Sequence, residues 1–296
     1  MAQSGKILIT GAAGFVGTAL CRQLLEQGCS VRVLVRGGGS RLPEELFRQL
    51  DDVVAVEDLT DEVAWAKLLA GVDRVVHLAG RAHGRASSAV DLYFRDNLDL
   101  TVALGRAALK AGVERFIFVS TIKVNGEGVL SSDHHPYEAS DRPRPLGAYA
   151  VSKWRAEQEL RALFNRPQGP NLVILRPPMI YGSKAKGNYA CLQRWLSWGL
   201  PVPVPWSGNR RSLLALSHLL EIIESFLTGT LTEDKLLLPC DPKEWSTERL
   251  ILDLARQNGS RVRIMRVPEV LFKGLAFISR REAFFIKLFG SLRIAS

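Results

Sequence analysis

Lys6-Ile7-Leu8-Ile9-Thr10-Gly11-Ala12-Ala13-Gly14-Phe15-Val16-Gly17-Thr18-Ala19-Leu20 decides how the rest of the chain is read. A short apolar run, Lys6–Thr10, has the length and bulk of a buried strand. Three glycines follow at positions 11, 14 and 17, and then a helical pattern with Val16, Leu20, Leu24 and Leu25 on one face. Gly28 is its natural stop. A strand that turns through glycines straight into a helix brings the helix's unpaired N–H groups to the turn. Glycine is needed there because a phosphate must approach the backbone itself. The reading is a dinucleotide-binding turn, with Gly11, Gly14, Phe15, Val16 and Gly17 against the cofactor.

Outward from that turn the pattern repeats. Strands are expected at Ser30–Val35, Val53–Val56, Arg74–Leu78, Arg115–Ser120 and Asn171–Leu175. Helical stretches fall at Ala64–Leu69, Val90–Ala111 and Ala148–Phe164. Alternation of this kind predicts a parallel sheet. Continuous apolar runs such as Phe116-Ile117-Phe118-Val119 suit a sheet covered on both faces. The fold class expected is α/β, a Rossmann-type doubly wound parallel sheet with a smaller C-terminal part. Residues 1–175 are read as the dinucleotide-binding domain. Beyond Arg176 prolines and glycines become dense, so residues 176–296 are read as mainly substrate-binding and partly interleaved with the sheet.

Bulk properties exclude several classes. The chain has 296 residues, 47% hydrophobic and 23% charged, an ordinary globular composition. No run of eighteen apolar residues exists, so no transmembrane segment is expected. The first residues lack the order of a signal peptide, and the expectation is a cytoplasmic protein. Cys21, Cys29, Cys191 and Cys240 are scattered without metal-binding spacing, so neither a metal site nor a disulfide framework is expected. Of the formal charge of +9, residues 254–296 carry +7. No nucleic-acid-binding motif accompanies that excess. Val270–Leu292 mixes aromatics with Arg280, Arg281 and Lys287. Completion of a small core is the favoured reading, and a peripheral membrane contact is the alternative.

The cofactor's identity turns on the end of the second strand. Leu34-Val35-Arg36 offers a cation where a carboxylate would grip the ribose hydroxyls of NAD. Arg36 therefore favours NADP(H), with NAD(H) left open. Asp58, followed by Leu59, comes after the third strand, where a carboxylate either accepts from the adenine amino group or caps the turn. Leu78-Ala79-Gly80 ends the fourth strand with small residues that let a dinucleotide lie close.

Chemistry is expected at Tyr149-Ala150-Val151-Ser152-Lys153, which puts a phenol and an ammonium on one helix face. A phenol titrates near ~10 in water, and a neighbouring cation brings it toward neutrality. Ser120-Thr121 ends the fifth strand at the sheet's carboxyl edge, where ligands sit. Either hydroxyl can orient a substrate oxygen toward Tyr149.

These motifs together resemble the extended short-chain dehydrogenases/reductases, in the branch of nucleotide-sugar epimerases, dehydratases and reductases. The resemblance spans Gly11–Gly17, Asp58-Leu59, His77–Gly80, Asn97, Val119–Gly126, Tyr149–Lys153, Arg176–Gly182 and Asn209–Leu214. It implies a catalytic set of Thr121, Tyr149 and Lys153, with Ser120 as the neighbouring hydroxyl. It implies further cofactor contacts from Tyr149, Lys153 and Pro177, and substrate contacts from Thr121, Asn188 and Arg211, the last on the substrate's diphosphate with Arg210 as the fallback. A homodimer through the long helices is expected on the same basis. Dehydratases of this branch carry an Asp-Glu pair after the threonine, where this chain has Ile122-Lys123. The stretch Ser120–Glu127 is similar to bacterial enzymes acting at C4 of UDP-linked N-acetyl-dideoxyhexoses in surface-polysaccharide synthesis. The activity expected is NADP(H)-dependent interconversion of a C4 keto and hydroxyl group on a nucleotide sugar. An NAD-retaining 4-epimerase is the first alternative, and a dinucleotide-binding sensor without catalysis the second.

Overall fold

Three hydrophobic faces have to be buried at once: the two sides of a parallel sheet and the stripes of the helices between its strands. The computed structural model describes residues 5–35, 42–50, 52–55, 62–82, 90–129, 135–166, 169–182, 196, 201–205, 208–231, 235–257, 259, 262–268, 270–271, 274, 286 and 290–295. Within them the chain divides into two units. The first comprises residues 1–124, 145–176 and 216–237, and the second 125–144, 177–215 and 238–296.

The first unit holds a seven-stranded sheet in which every neighbouring pair is parallel. Its strands are β1 (Lys6–Thr10), β2 (Ser30–Val35), β3 (Asp52–Ala55), β4 (Val72–His77), β5 (Arg115–Val119), β6 (Asn171–Leu175) and β10 (Lys235–Leu237). Their order is β10-β6-β5-β4-β1-β2-β3. The order reverses at β1 and β4, the kind of switch point where open α/β sheets bind ligands. The seventh strand escapes sequence reading. It has three residues and enters the sheet from a distant stretch of chain.

Helices cover both faces. On one side Leu8, Val75, Phe116, Phe118, Leu172 and Ile174 pack with α3 (Glu62–Leu69), α5 (Leu100–Lys110) and α6 (Gly147–Phe164) into one buried cluster. α1 (Phe15–Glu26) contacts α2 (Glu44–Gln49) and α7 (Leu216–Leu227), and Gln23 and Gln27 donate to the Glu224 carboxylate. α1 ends as its glycine dictates. Gly28 is left-handed at φ 73°, and the amides of Gly28 and Cys29 return to the carbonyls of Leu25 and Leu24.

The long helix expected over 90–111 is helical but not uniform. α4 (Val90–Phe94) passes through a π-helical turn, Arg95–Asp99, into α5. The Leu100 amide reaches back to the Arg95 carbonyl across that turn. A residue inserted into a helix this way re-aims the side chains around it, and such turns recur at functional sites.

In the second unit two small parallel sheets pair β7 (Met179–Tyr181) with β9 (Leu213–Ala215) and β8 (Val202–Pro205) with β11 (Ile264–Val267). α8 (Thr247–Gln257) belongs to the same unit. Cys21 and Cys29 are buried free thiols and Cys240 is a half-buried one. Among the described residues no group of His, Cys, Asp or Glu could hold a metal ion. Among them, too, no helix is long and apolar enough to cross a membrane.

Candidate active site

The Gly11–Gly17 turn has the geometry that a dinucleotide phosphate needs. Gly11 is left-handed at φ +75°, and a Cβ there would lie 2.7 Å from the Ala79 amide nitrogen. At Gly17 a Cβ would meet the Gly11 carbonyl oxygen at 2.3 Å, so only glycine lets α1 pack this closely on β1. Gly14 is the N-cap of α1. No side chain caps the helix and its first turn carries no acid. Its leading N–H groups lie at the positive end of the helix dipole without a capping side chain. The residues present fit a dinucleotide diphosphate. Phe15 and Val16 open α1 half-buried.

Next to this turn, β4 ends in a buried chain of hydrogen bonds. The Ala79 amide donates to Thr10 Oγ1 at 3.2 Å, and Thr10 Oγ1 lies 2.6 Å from His77 Nδ1. On the other side His77 Nε2 lies 2.8 Å from Thr101 Oγ1, which itself donates to the Asn97 carbonyl. Thr101 must accept from His77, so the imidazole carries its proton on Nε2 and accepts from Thr10 on Nδ1. Complete burial, with the Lys153 charge nearby, holds His77 well below its ordinary range and keeps it neutral. Asn97, on the π turn, accepts the Arg81 amide proton at 2.7 Å and donates to the Arg81 carbonyl and to Ser152 Oγ. The strand end that carries Leu78, Ala79 and Gly80 is thus tied to β1, to the π turn and to α6.

Tyr149 and Lys153 lie one turn apart on α6. The Tyr149 ring sits against Tyr93 with centroids 6.3 Å apart. Lys153 is buried, donates from Nζ to the Val119 carbonyl at 3.0 Å, and lies 4.5 Å from the Phe118 ring centroid. Its ammonium also flanks Gly80, where a Cβ would come within 3.2 Å of Nζ. Desolvation pulls the ammonium down to about 8, against an opposing pull from the Glu157 carboxylate.

The two candidate hydroxyls have different surroundings. Ser120 Oγ donates to Glu157 Oε1 at 2.5 Å, and Glu157 is also gripped by both forks of Arg176. All three are buried. Ser120 thus spends its proton inside a buried ion pair, and Thr121, one residue on, is the hydroxyl outside that pair. Sequence reasoning missed Glu157. The only local sign of it was an acid one turn beyond Lys153 on the same helix face.

In the second unit Pro177 is buried after β6, and the Tyr181 phenol donates to Asp241 at 2.8 Å. Arg211 is half-buried, and burial pulls its guanidinium to about 10, so it is a cation at neutral pH. Arg36, Asp58, Leu59 and Asn188 lie outside the described residues.

Residues 7–198 match the model of the family described as the NAD dependent epimerase/dehydratase family. The chain belongs to that family. It is similar to a UDP-glucose 4-epimerase of Vibrio cholerae, 34% identical over 254 residues, covering 84% of this chain and 74% of the relative. It is also similar to an N-acetyl-alpha-D-glucosaminyl-diphospho-ditrans,octacis-undecaprenol 4-epimerase of Escherichia coli O157:H7. That likeness is 27% over 264 residues, covering 88% of this chain and 75% of the relative. Among solved structures, MoeE5 in complex with UDP-glucuronic acid and NAD superposes with a TM-score of 0.72 at 26% identity. The match covers 89% of this chain and 86% of that one. Family membership makes this chain an enzyme of the extended short-chain dehydrogenase/reductase type, and the family's description makes the cofactor class a nicotinamide dinucleotide.

Proposed function

We propose that the chain interconverts a hydroxyl and a keto group at C4 of a sugar carried on a diphosphate, and that it does so as an NAD-retaining 4-epimerase. The observation that carries the chemistry is Lys153 buried one helical turn from Tyr149, at the end of β5 and beside Gly80. The 34% identical relative named as a 4-epimerase supports the epimerase form.

A bound nicotinamide supplies the acceptor and donor of a hydride. The protein's part is to move a proton and hold the sugar. Tyr149 takes the proton from O4 as the carbonyl forms and returns it as the carbonyl is reduced. The Lys153 cation favours phenolate over phenol, which brings that exchange toward neutral pH. Thr121 Oγ1 holds the reacting oxygen, and Ser120, committed to Glu157, does not. Arg211 grips the diphosphate with its planar fork. A diphosphate is common to the nucleotide-linked and the polyprenol-linked sugars named for the relatives, so Arg211 leaves open which carrier the sugar has. The chain at Ile122-Lys123 lacks the acids of a dehydratase, so elimination is not part of the reading.

NADPH-dependent reduction of a 4-keto sugar is the second reading. It is favoured by one feature, the absence of a carboxylate at Val35-Arg36, where β2 ends. Denaturing the purified protein and identifying the released dinucleotide separates the two. Stoichiometric NAD is the expected result. An empty protein that binds NADPH more tightly than NADH would transfer the assignment to the reductase.

A further inference from the structure

Arg211 stands at the centre of a small arrangement of isolated backbone bridges. On one side it pairs antiparallel with Trp245, each amide donating to the other's carbonyl at 2.7 and 2.8 Å. On the other it pairs parallel with Leu292: the Leu292 amide donates to the Arg210 carbonyl and the Ser212 amide to the Leu292 carbonyl. The segment 290–295 is itself laced to residues on its far side. Ser291 exchanges both backbone hydrogen bonds with Val129, the Tyr137 amide donates to the Arg293 carbonyl, and the Ala295 amide donates to the Tyr137 carbonyl.

Four polar side chains around Arg211 are buried, and each makes at least one hydrogen bond within this arrangement. Asn209 accepts from the Thr247 amide at 2.7 Å and donates to Thr247 Oγ1 and to the Gly290 carbonyl, both at 2.9 Å. It therefore joins the first turn of α8 to the start of the terminal segment. Ser291 Oγ accepts the Arg210 amide at 3.2 Å, and Ser212 Oγ accepts the Ile294 amide at 2.9 Å. Asn209, Ser212, Thr247 and Ser291 are each 5% exposed or less. Burying four uncharged polar groups is costly unless their hydrogen bonds are made. Here they are made: Ser291 holds the Arg210 amide, Ser212 ties the residue after Arg211 to Ile294, and Asn209 ties the chain two residues before it to Thr247 and Gly290. A guanidinium grips phosphate oxygens through direction as well as charge, so the backbone that aims it has a functional consequence.

We propose that Asn209 and Ser291 are positioning residues for diphosphate binding: together with the segment 290–295 they hold the Arg211 backbone, and so set the affinity for a nucleoside diphosphate without touching it. This rests on the reading of Arg211 as the diphosphate-binding group. The tests use UDP as probe by calorimetry, and NADH by fluorescence titration, on the full chain. Asn209→Ala and Ser291→Ala are each expected to weaken UDP about tenfold, the value of one or two well-made hydrogen bonds, with NADH affinity unchanged. Arg211→Met should weaken UDP at least as much. The double variant Asn209→Ala/Arg211→Met should bind UDP no worse than Arg211→Met alone, which a merely structural role would not produce. Additive losses in the double variant, or unchanged UDP affinity in Asn209→Ala and Ser291→Ala, would overturn the proposal. Unchanged UDP affinity in Arg211→Met, with NADH still bound, would instead remove the reading of Arg211 on which it stands. Should Asn209→Ala fail to fold, Ser291→Ala, which loses a single hydrogen bond, carries the same cycle with Arg211→Met.

Discussion

Lys153 illustrates how burial tunes one group for two tasks. Its ammonium makes one hydrogen bond to a backbone carbonyl and one ring contact, and desolvation brings it to about 8. Below that value it is a cation, which in the proposed mechanism favours the Tyr149 phenolate. Above it that charge is lost. The expected outcome is an activity that falls as pH rises through about 8, read as kcat/KM across the alkaline range. The same depression carries a stability consequence. The unfolded chain holds the extra proton between about 8 and 10.5, so the cost of burying Lys153 diminishes as pH rises through that window. His77 differs in kind. Its depression keeps it a neutral relay between Thr10 and Thr101, with no charge change in the working range.

At the scale of elements, the contact of α1 with β1 is set by two glycines. Gly17→Ala would put a methyl 2.3 Å from the Gly11 carbonyl oxygen and 2.8 Å from Ala12 Cα, both backbone atoms that cannot swing away. The helix must retreat, at a cost of about 1–3 kcal/mol for overpacking. The expected outcome is a lower melting temperature together with weaker NADH binding, because the retreat moves the amides proposed to meet the phosphates. Arg32 in β2 shows a purely structural use of a buried cation. It donates to the carbonyls of Lys67, Leu68 and Ala70 at the C-terminal end of α3 and to Asp52. That end of a helix carries the negative dipole and unpaired carbonyls, so the cation answers both.

For the molecule as a whole, the Glu157–Arg176 pair has the widest reach. Glu157 sits on α6, Arg176 follows β6, and Ser120 follows β5, so one buried carboxylate joins three elements of the first unit. Removing the charge from one partner leaves the other buried and uncompensated. Glu157→Gln is expected to cost about 3–5 kcal/mol, measured by chemical denaturation. It should also move the alkaline limb of activity to lower pH, because Glu157 is what opposes the desolvation of Lys153. A pair with only a structural role would change the first measurement and leave the second alone.

Local spacing determined much of this protein before any tertiary contact is considered. A strand, three glycines and an amphipathic helix specify the phosphate turn, because the backbone approach and the helix N-terminus are consequences of adjacent residues. Tyr149 and Lys153 share a face because helical geometry puts residues four apart together. Six strands of the sheet were legible because a sheet buried on both faces demands mostly apolar runs. The tertiary structure decided what no spacing encodes. Lys235–Leu237 is too short to carry a period, and it becomes the seventh strand only because β6 presents an open edge for it to pair with. The π turn within the helix over 90–111 buries Asp96 and Asn97, whose partners at Arg81 and Ser152 lie elsewhere in the chain, so local pattern reads straight through it. Thr10 meets His77 across 67 positions and Asn209 meets Gly290 across 81. A buried hydrogen bond needs a partner at about 3 Å in space, and only the folded chain brings residues that distant in sequence to that separation.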